Sequence, residues 1–191
     1  MSAPSSATPD LRDRVSLRAA GAEDEPLLLR VYAATRAQEM NLVPWDDAQK
    51  QAFIRMQFDA QHRHYTSHYP GARFEVILLD GEPVGRLYLA QLETEFRIMD
   101  VAVLPENRRA GIGSLVVEEV LKEAQAASVP VTMSMETYNP SLPLFERMGF
   151  HATKVDPLTA FMVWKPISAG DGNVPPGASP QDTLDIVEPT E

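Results

Sequence analysis

The first third of the chain has its apolar residues at helical spacing. Carboxylates at residues 23–25 followed by Pro26 predict a helix start, because acidic side chains favour the positive end of the helix dipole and proline fits the first turn. A second helix, capped by Asp46 or Asp47, precedes the turn at residues 70–71. The pattern therefore predicts two consecutive helices.

Strand-like alternation takes over after the second helix and is interrupted by two further helices. Strands are predicted at residues 15–18, 74–79, 83–90, 95–103, 129–137, 150–155 and 160–164. Helices are predicted at residues 111–127 and 140–148. The alternation slips by one position between Ile98 and Val101, which predicts a β-bulge. The predicted order is strand, two helices, three strands, helix, strand, helix and two strands, with no internal repeat.

Composition places the chain among soluble globular proteins. Its 191 residues fit one domain, and 44% of them are hydrophobic. The lack of cysteine excludes disulfides, thiolate metal sites, iron–sulfur clusters and a cysteine nucleophile. No apolar run approaches the roughly 18 residues of a membrane span, and the first ten residues do not have the pattern of a signal peptide. We therefore expect a cytoplasmic protein without a membrane partner.

The negative charge of the chain is unevenly distributed. The formal net charge is −10, which argues against a non-specific nucleic-acid binder, since phosphates require a basic face. We predict a folded domain at residues 15–165 between a disordered extension at 1–14 and a disordered, acidic, Pro/Gly-rich tail at 166–191, which holds five acidic residues and no basic one. Alternatively, a short apolar patch in the tail docks on a partner or a sheet edge: Leu184, Ile186 and Val187.

The connection between one strand and the next helix is the most informative stretch. After Pro105, the sequence Arg108-Arg-Ala-Gly-Ile-Gly-Ser114, which we call the glycine loop, opens a helix. A helix N-terminus presents unpaired N–H groups and partial positive charge, and Gly111 and Gly113 let an anion approach the backbone. The two arginines add charge and the serine a hydroxyl, so the loop suits a pyrophosphate. In the alternative interpretation the glycines only make a tight turn and the arginines are solvated.

Two common phosphate motifs do not match the glycine loop. The Walker motif needs a lysine directly after its last glycine, and none follows Gly113. The dinucleotide fingerprint needs a third glycine or an alanine where Val116 stands. A domain for another nucleotide is therefore disfavoured.

The glycine loop resembles instead the acyl-CoA loop of the GNAT superfamily of N-acyltransferases, in the pattern Arg108-x-x-Gly111-x-Gly113. The segment Asn139-Pro-Ser-Leu-Pro-Leu-Phe-Glu-Arg-Met-Gly-Phe150 is similar to the second signature of that superfamily, an asparagine before a short helix that ends in Gly-Phe. The resemblance covers residues 15–165. It implies a three-layer α/β/α fold whose mixed, mostly antiparallel sheet splays between the strands at 95–103 and 129–137.

The resemblance also implies a binding site for acetyl-CoA, the acyl donor. The pantetheine arm would enter the gap between the splayed strands and pair with the bulged strand, while the glycine loop wraps the pyrophosphate. A main-chain N–H facing the thioester oxygen would stabilise the developing oxyanion. The residues implied in cofactor binding are Val101, Ala102, Val103, Arg108, Arg109, Ala110, Gly111, Ile112, Gly113, Ser114, Asn139 and Phe145. Asn139 is also expected to cap a helix that Pro140 begins.

The acid and the base of the implied reaction are left open. Many family members have a tyrosine that protonates the thiolate where this chain has Phe145, which has no proton to give and is expected to pack on the pantetheine. Thiol pKa values lie at about 8–9, so the thiolate can take its proton from water or leave without one. Members often use a glutamate on a splayed strand as the base. The candidates here are Glu95 and Glu136, each of which is otherwise a surface carboxylate.

The first two helices are implied to line the pocket for the amine acceptor. Their acidic and aromatic residues suit a cationic or aromatic amine: Glu39, Trp45, Gln57, His64 and Tyr65. Trp45 is equally well a core residue after Pro44. His62, His64 and His68 have no accompanying cysteine or carboxylate pattern, so no metal site is predicted.

Together these features predict an N-acetyltransferase that moves an acetyl group from acetyl-CoA to a primary amine by direct attack. The alternative is an acyl-CoA-binding sensor or interaction module with little or no turnover, which Phe145 favours. Small amines, antibiotics, polyamines and protein N-termini are all open as acceptors, and the acidic domain mildly favours a cationic one. A homodimer is a fold-level expectation.

Overall fold

The computed structural model describes residues 10–167 of the chain. In that range the helices are α1 (Leu11–Arg14), α2 (Glu25–Asn41), α3 (Asp47–His68), α4 (Ile112–Ala127) and α5 (Leu142–Arg147). The strands are β1 (Val15–Ala19), β2 (Arg73–Leu79), β3 (Glu82–Gln91), β4 (Phe96–Val103), β5 (Val131–Glu136), β6 (His151–Val155) and β7 (Thr159–Trp164). Every strand and helix predicted within residues 15–165 is present, with ends shifted by a few residues.

The strands form one sheet in the order β1-β2-β3-β4-β5-β7-β6. All neighbours are antiparallel except β4 and β5, which are parallel. One face packs against α2 and α3 through Leu28, Tyr32, Ile54, Phe58 and Val76. The other face packs against α4 and α5 in the larger core, which includes Ile77, Leu87, Val116, Val120 and Phe145. The predicted three-layer α/β/α fold with a mixed, mostly antiparallel sheet is confirmed.

The sheet opens where β4 and β5 run side by side. Their pairing is limited to residues 96–98 with 131–133, so residues 99–103 and 134–136 have no partner across that boundary. We call the space between these two segments the sheet gap. On its other side β4 pairs Ile98 with Leu89 and Asp100 with Tyr88, which leaves Met99 as an extra residue. The predicted bulge and the predicted splay therefore coincide.

Two side chains at the start of α3 determine where that helix begins. Asp46 Oδ1 accepts from the N–H of Gln49 (2.8 Å), and Gln49 Oε1 accepts from the N–H of Asp46 (3.1 Å). This capping box identifies Asp46, not Asp47, as the cap of α3.

The prediction that Asn139 caps a helix beginning at Pro140 is wrong. Asn139 Oδ1 accepts from the N–H of Ser141 (2.9 Å) and closes a turn, so that α5 begins only at Leu142. Short asparagine side chains compete with helix formation in this way, and Pro143 then occupies the first turn of the helix.

The chain is ordered before the predicted start at Val15. Residues 11–14, assigned by the sequence analysis to the N-terminal extension, form α1. Arg12 pairs with Glu118 (2.6 Å) and Glu119 (2.9 Å) on α4, and Leu11 packs against the larger core. The predictions for the tail, including the apolar patch at Leu184, Ile186 and Val187, fall outside the described residues apart from 166 and 167. Within residues 10–167, no helix is long and apolar enough to cross a membrane.

Candidate active site

The glycine loop presents a row of free main-chain donors. The N–H groups of residues 109–114 donate to no acceptor among residues 10–167, and the N–H of Leu115 is the first to bond, to Gly111 O (3.0 Å). These donors lie at the N-terminus of α4, a helix of 16 residues, where the macrodipole places partial positive charge. The loop therefore has the geometry of an anion site.

The two glycines of the loop have different roles. Gly111 has φ 85° and Arg109 φ 62°, so the chain passes through the left-handed region just before α4. A side chain at Gly111 would be strained in that conformation. Gly113 is helical, and a Cβ built there would find its nearest neighbour, a methyl carbon of Val103, at 4.0 Å. The fold tolerates a side chain at Gly113, whereas a ligand lying against the loop would not.

The two arginines of the loop also differ. Arg108 Nε donates to Val103 O (2.9 Å), and its Nη2 donates to Ala34 O on α2 (3.4 Å). Arg108 thus ties the loop to the end of β4 and to α2. Arg109 is exposed, and its side chain makes no hydrogen bond or ion pair within the described range. Its charge is available to a bound anion.

The β4 side of the sheet gap offers main-chain groups to an extended ligand. The N–H of Leu104 donates to Val84 O on β3 (2.8 Å). Because main-chain groups of successive residues point to opposite sides of a strand, those of Val101 and Val103 point into the sheet gap. Ala102 between them pairs with Arg86 on β3. Arg108 Nε already donates to the carbonyl of Val103, so the N–H groups of both residues and the carbonyl of Val101 are the groups without a partner among residues 10–167.

On the face covered by α2 and α3, charged and phenolic side chains gather around the bulge. We call this set the polar cluster: Arg36, Glu39, Tyr65, Arg86, Asp100 and Glu136. The ring of Tyr32 lies within cation–π range of both guanidinium groups, at 5.7 Å from Arg36 and 5.6 Å from Arg86. Five elements contribute to the cluster, from α2 to β5.

Arg86 is the buried centre of the polar cluster, with none of its surface exposed. Its Nη2 donates to Asp100 Oδ2 (2.6 Å) and to Gln61 Oε1 (3.3 Å), and its Nη1 to Leu28 O (3.4 Å). The guanidinium also lies 5.0 Å from the centre of the Tyr88 ring. A buried charge is tolerated only when it is paired and hydrogen-bonded in this way.

Tyr65 contacts the bulge itself. Its hydroxyl donates to Met99 O at 3.0 Å. Burial raises the pKa of Tyr65 to about 12, and the nearby Asp100 carboxylate acts in the same direction. The phenol is therefore protonated, and able to donate, across the neutral range.

Glu136, one of the two candidate bases, lies on β5 at the open end of the sheet gap. Its Oε1 accepts from Arg36 Nη1 (3.2 Å), which also donates to Glu39 Oε1 (3.1 Å), and its Oε2 accepts from Asn139 Nδ2 (3.5 Å). Burial raises the pKa of Glu136, but a main-chain hydrogen bond, Arg36 and Asn139 outweigh it, and the pKa lies below its ordinary value. Glu136 is thus anionic at neutral pH.

Glu95, the other candidate base, precedes β4 at the end that is paired with β5. Its carboxylate forms a salt bridge with Arg97. Four residues of extended chain separate Glu95 from Met99, which is about 13 Å along a strand. The two candidate carboxylates thus lie at opposite ends of the β4–β5 boundary.

Two side chains of the second signature, Asn139 and Phe145, make their contacts within the protein. Phe145 is 6% exposed and meets Phe150 edge-on, with ring centroids 5.8 Å apart, in the larger core. Both ends of the Asn139 amide already have partners, Ser141 and Glu136. Any contact of these two residues with a cofactor would have to be made beside those interactions.

Of the residues predicted for the acceptor pocket, Glu39 and Tyr65 join the polar cluster. Trp45 is 40% exposed and meets Phe53 edge-on at 5.2 Å near the start of α3. His64 lies against His68, with ring centroids 4.1 Å apart. Across residues 10–167, no group of three or more His, Asp or Glu side chains is placed to hold a metal ion.

Sequence reasoning missed Arg36, Arg86 and Asp100. A signal for the last two was present, because each is a charge inside an otherwise apolar strand, Val84–Ala90 and Ile98–Val103. Such charges are buried only as pairs. Their pairing depends on the register of β3 and β4, which the bulge shifts.

Comparison with known proteins agrees with this geometry. The family model described as the acetyltransferase (GNAT) family matches residues 33–150, more than half of the chain. No curated protein matches the sequence.

Solved structures share the fold at low sequence identity. PaiA N-acetyltransferase from Thermoplasma acidophilum, in complex with coenzyme A, has a TM-score of 0.62 and 14% identity over 79% of this chain and 98% of that one. The ribosomal-protein-S18-alanine N-acetyltransferase from Escherichia coli has a TM-score of 0.55 and 15% identity over 84% and 99%. Arabidopsis thaliana Naa50, in complex with the bisubstrate analogue CoA-Ac-MVNAL, has a TM-score of 0.53 and 17% identity over 78% and 97%. The fold and the family match together show that the chain belongs to the acetyltransferase (GNAT) family.

Proposed function

We propose that the protein transfers the acetyl group of acetyl-CoA to a primary amine by direct attack of the amine on the thioester. The observation that carries the proposal is the row of six free main-chain N–H groups at residues 109–114, beside the open end of the sheet gap. A diphosphate suits that row, because the free donors and the helix dipole both favour negative charge. The amide-rich pantetheine arm would lie in the sheet gap and add to β4 as an extra strand does.

The proposed reaction forms a C–N bond and breaks the C–S bond of the thioester. An acceptor that arrives as an ammonium group first loses one proton to become a nucleophilic amine. The amine nitrogen then bonds to the thioester carbon, the C–S bond breaks and the nitrogen loses its second proton, while the thiolate takes a proton from water and the hydroxide left behind takes up a proton released by the amine. We assign the N–H of Val101 to the thioester oxygen as it becomes an oxyanion. Glu136 is our first candidate for the group that takes the proton from the amine, because it lies at the open end of the sheet gap. Glu95 is the second.

The acceptor is proposed to enter from the side of α2 and α3, past the contact between Arg36 and Glu136. The polar cluster holds three carboxylates and two guanidinium groups, a net charge of −1 that suits an incoming ammonium group. Two of the similar structures are named for a protein alanine acceptor or for a peptide bisubstrate analogue. We therefore include protein N-termini beside small cationic amines as acceptors. A reaction that consumes acetyl-CoA fits a cytoplasmic location.

Calorimetric titration with acetyl-CoA and CoA tests the proposal. We expect the wild-type protein to bind both, and Gly113→Val to raise both Kd values about tenfold or more, since the added carbons would stand where the diphosphate lies. The matched control is Ala126→Val, which places the same valine side chain on an exposed turn near the other end of α4. Lack of binding by the wild type, or equal binding by wild type and Gly113→Val, would rule the proposal out.

A second candidate function, an acyl-CoA-binding module with little turnover, is favoured by the burial of Phe145 where many family members carry a phenol. Release of free thiol from acetyl-CoA separates the two functions. An enzyme releases thiol with at least one amine in a panel of alkylamines, diamines, amino-acid amides and short peptides. A module binds acetyl-CoA but releases none above the background rate.

A further inference from the structure

Helix α3 reaches the β4 bulge with two side chains one turn apart, Gln61 and Tyr65. The bulge lies where β4 parts from β5, at the entrance to the sheet gap. Met99 has no residue opposite it on β3, so its main-chain groups are outside the regular ladder. A bulge bends its strand and increases the local twist, so the contacts that hold it also set the direction of the main-chain groups that follow.

Tyr65 supplies the first support. Its hydroxyl donates to the carbonyl of Met99 at 3.0 Å, which gives a partner to the carbonyl that the bulge removes from the ladder. The ring is held in turn by an edge-on contact with Tyr88 on β3, with centroids 6.2 Å apart.

The buried ion pair supplies the second support, on the next residue of β4. Asp100 is held by Arg86 at 2.6 Å, and the same nitrogen of Arg86 donates to Gln61 at 3.3 Å. The bulge is thus held at both of its residues, at Met99 directly by Tyr65 and at Asp100 through Arg86, which also bonds Gln61 on α3. The residue that follows is Val101, whose N–H points into the sheet gap.

We propose that Tyr65 is a positioning residue, which holds the carbonyl of Met99 and thereby aims the N–H of Val101 at the thioester oxygen. The inference rests on the proposed function, since only an acyl-CoA ligand has that oxygen. A positioning role differs from a general stabilising role, because it affects the binding of the acetyl group and leaves the binding of the rest of coenzyme A unchanged.

The test compares Tyr65→Phe with Tyr69→Phe. Tyr69 is the matched control, because it lies one turn further along the chain and its hydroxyl accepts from Arg97 Nη1 (3.1 Å), near the paired end of β4. For Tyr65→Phe we expect the ratio of the Kd of acetyl-CoA to the Kd of CoA to rise about three- to tenfold, in line with one lost hydrogen bond. We expect kcat to fall by about tenfold or more, with the KM of the amine unchanged. Tyr69→Phe should leave the ratio and kcat within twofold of the wild type.

Three outcomes would overturn the positioning role. Equal increases in both Kd values would mean that Tyr65 only stabilises the fold. A loss of kcat with an unchanged ratio would mean that its phenol acts on the reacting atoms directly. Equal effects of the two variants would mean that the contact with Met99 has no special part.

Amide hydrogen exchange in the ligand-free protein separates this inference from the proposed function. Tyr65→Phe should speed exchange several-fold at Asp100 and Ala102, the residues beside the bulge that pair with β3, and Tyr69→Phe should not. Faster exchange in a protein that binds no coenzyme A would leave the support of the bulge intact and remove the proposed function. Unchanged exchange at these residues would remove the support, whatever the enzyme binds.

Discussion

At the scale of single residues, Glu136 and Glu95 form a natural pair for comparison. Glu136 lies on β5 and Glu95 directly precedes β4, and each has an arginine partner. Only Glu136 lies at the open end of the sheet gap, where we propose that the amine meets the thioester. We expect Glu136→Gln to lower kcat/KM for the amine about a hundredfold, which is typical of a lost general base, and Glu95→Gln to change it by less than about threefold.

Initial rates of thiol release at saturating acetyl-CoA measure both variants. The low pKa of Glu136 also fixes the sign of the pH dependence. Because its pKa is lowered, the carboxylate stays ionised to a more acidic pH than an ordinary glutamate, so its protonation lowers the rate only in acid. On the alkaline side we expect the rate to rise as the amine itself loses its proton. A dominant loss in Glu95→Gln would reverse the assignment of the base.

The environment of Asp24 allows a prediction about how the stability of the fold depends on pH. Its carboxylate accepts from Arg18 through both oxygens (2.6 and 2.7 Å) and from the N–H of Gly21 (2.8 Å). The Arg18 hydrogen bonds are the main cause that holds the pKa of Asp24 below its ordinary value, against the effect of burial. Because the pKa of Asp24 is lower in the folded than in the unfolded state, its ionised carboxylate stabilises the fold fully at a pH above the unfolded-state pKa, about 3.9. That stability is lost as the pH falls through the folded-state pKa.

We therefore expect Asp24→Asn to lower the free energy of unfolding at pH 7, and the gap from the wild type to narrow as the pH falls below about 4. Urea unfolding at pH 7 and pH 3 measures the difference. A difference of the same size at both values would show that the charge of Asp24 is not what stabilises the fold.

At the scale of elements, the capping box of α3 resolves an ambiguity between neighbouring aspartates. Asp46 closes the box with Gln49, while Asp47 is already inside the helix. Asp46→Ala should lower the free energy of unfolding by about 1 kcal/mol, the usual cost of a lost cap. Asp47→Ala should cost only a few tenths of that, through the helix dipole. Urea titration of the two variants side by side gives the answer, and an equal cost would contradict the assignment.

The same scale shows what the pattern of residues can predict and what it cannot. Alternation and turn residues were sufficient for each strand, and the slip between Ile98 and Val101 located the bulge. The start of α5 was misplaced because the Asn139 side chain bonds Ser141 and makes a turn that local sequence allows as readily as a cap. Helix α1 was missed because four residues with one apolar contact, Leu11, carry no periodic signal.

At the scale of the whole molecule, the glycine loop and the polar cluster differ in how far they can be predicted. The loop is a continuous stretch, so its glycines and free donors follow from sequence. The polar cluster joins residues 100 positions apart, such as Arg36 on α2 and Glu136 on β5. The contact between them depends on how α2 crosses the sheet and on where β4 separates from β5. Neither feature can be predicted from the local sequence.

Coupling between ligand and fold gives a prediction for the whole molecule. A ligand that binds only the native state stabilises it by RT ln(1 + [L]/Kd), about 2.7 kcal/mol at a hundredfold excess over Kd. For a chain of this size, CoA at that excess should raise Tm by roughly 5–10 °C. Differential scanning calorimetry with and without CoA measures the shift.

The variant Gly113→Val distinguishes the increase in Tm that is due to CoA binding from the stability of the ligand-free fold. Because a Cβ at Gly113 has room in the free protein, the variant should unfold close to the wild-type Tm when no ligand is present. It should then lose most of the increase that CoA produces, since the added side chain would lie against the free N–H groups of residues 109–114. A variant that is destabilised alone but keeps the full increase would show that the glycine serves the fold, and that the diphosphate binds elsewhere.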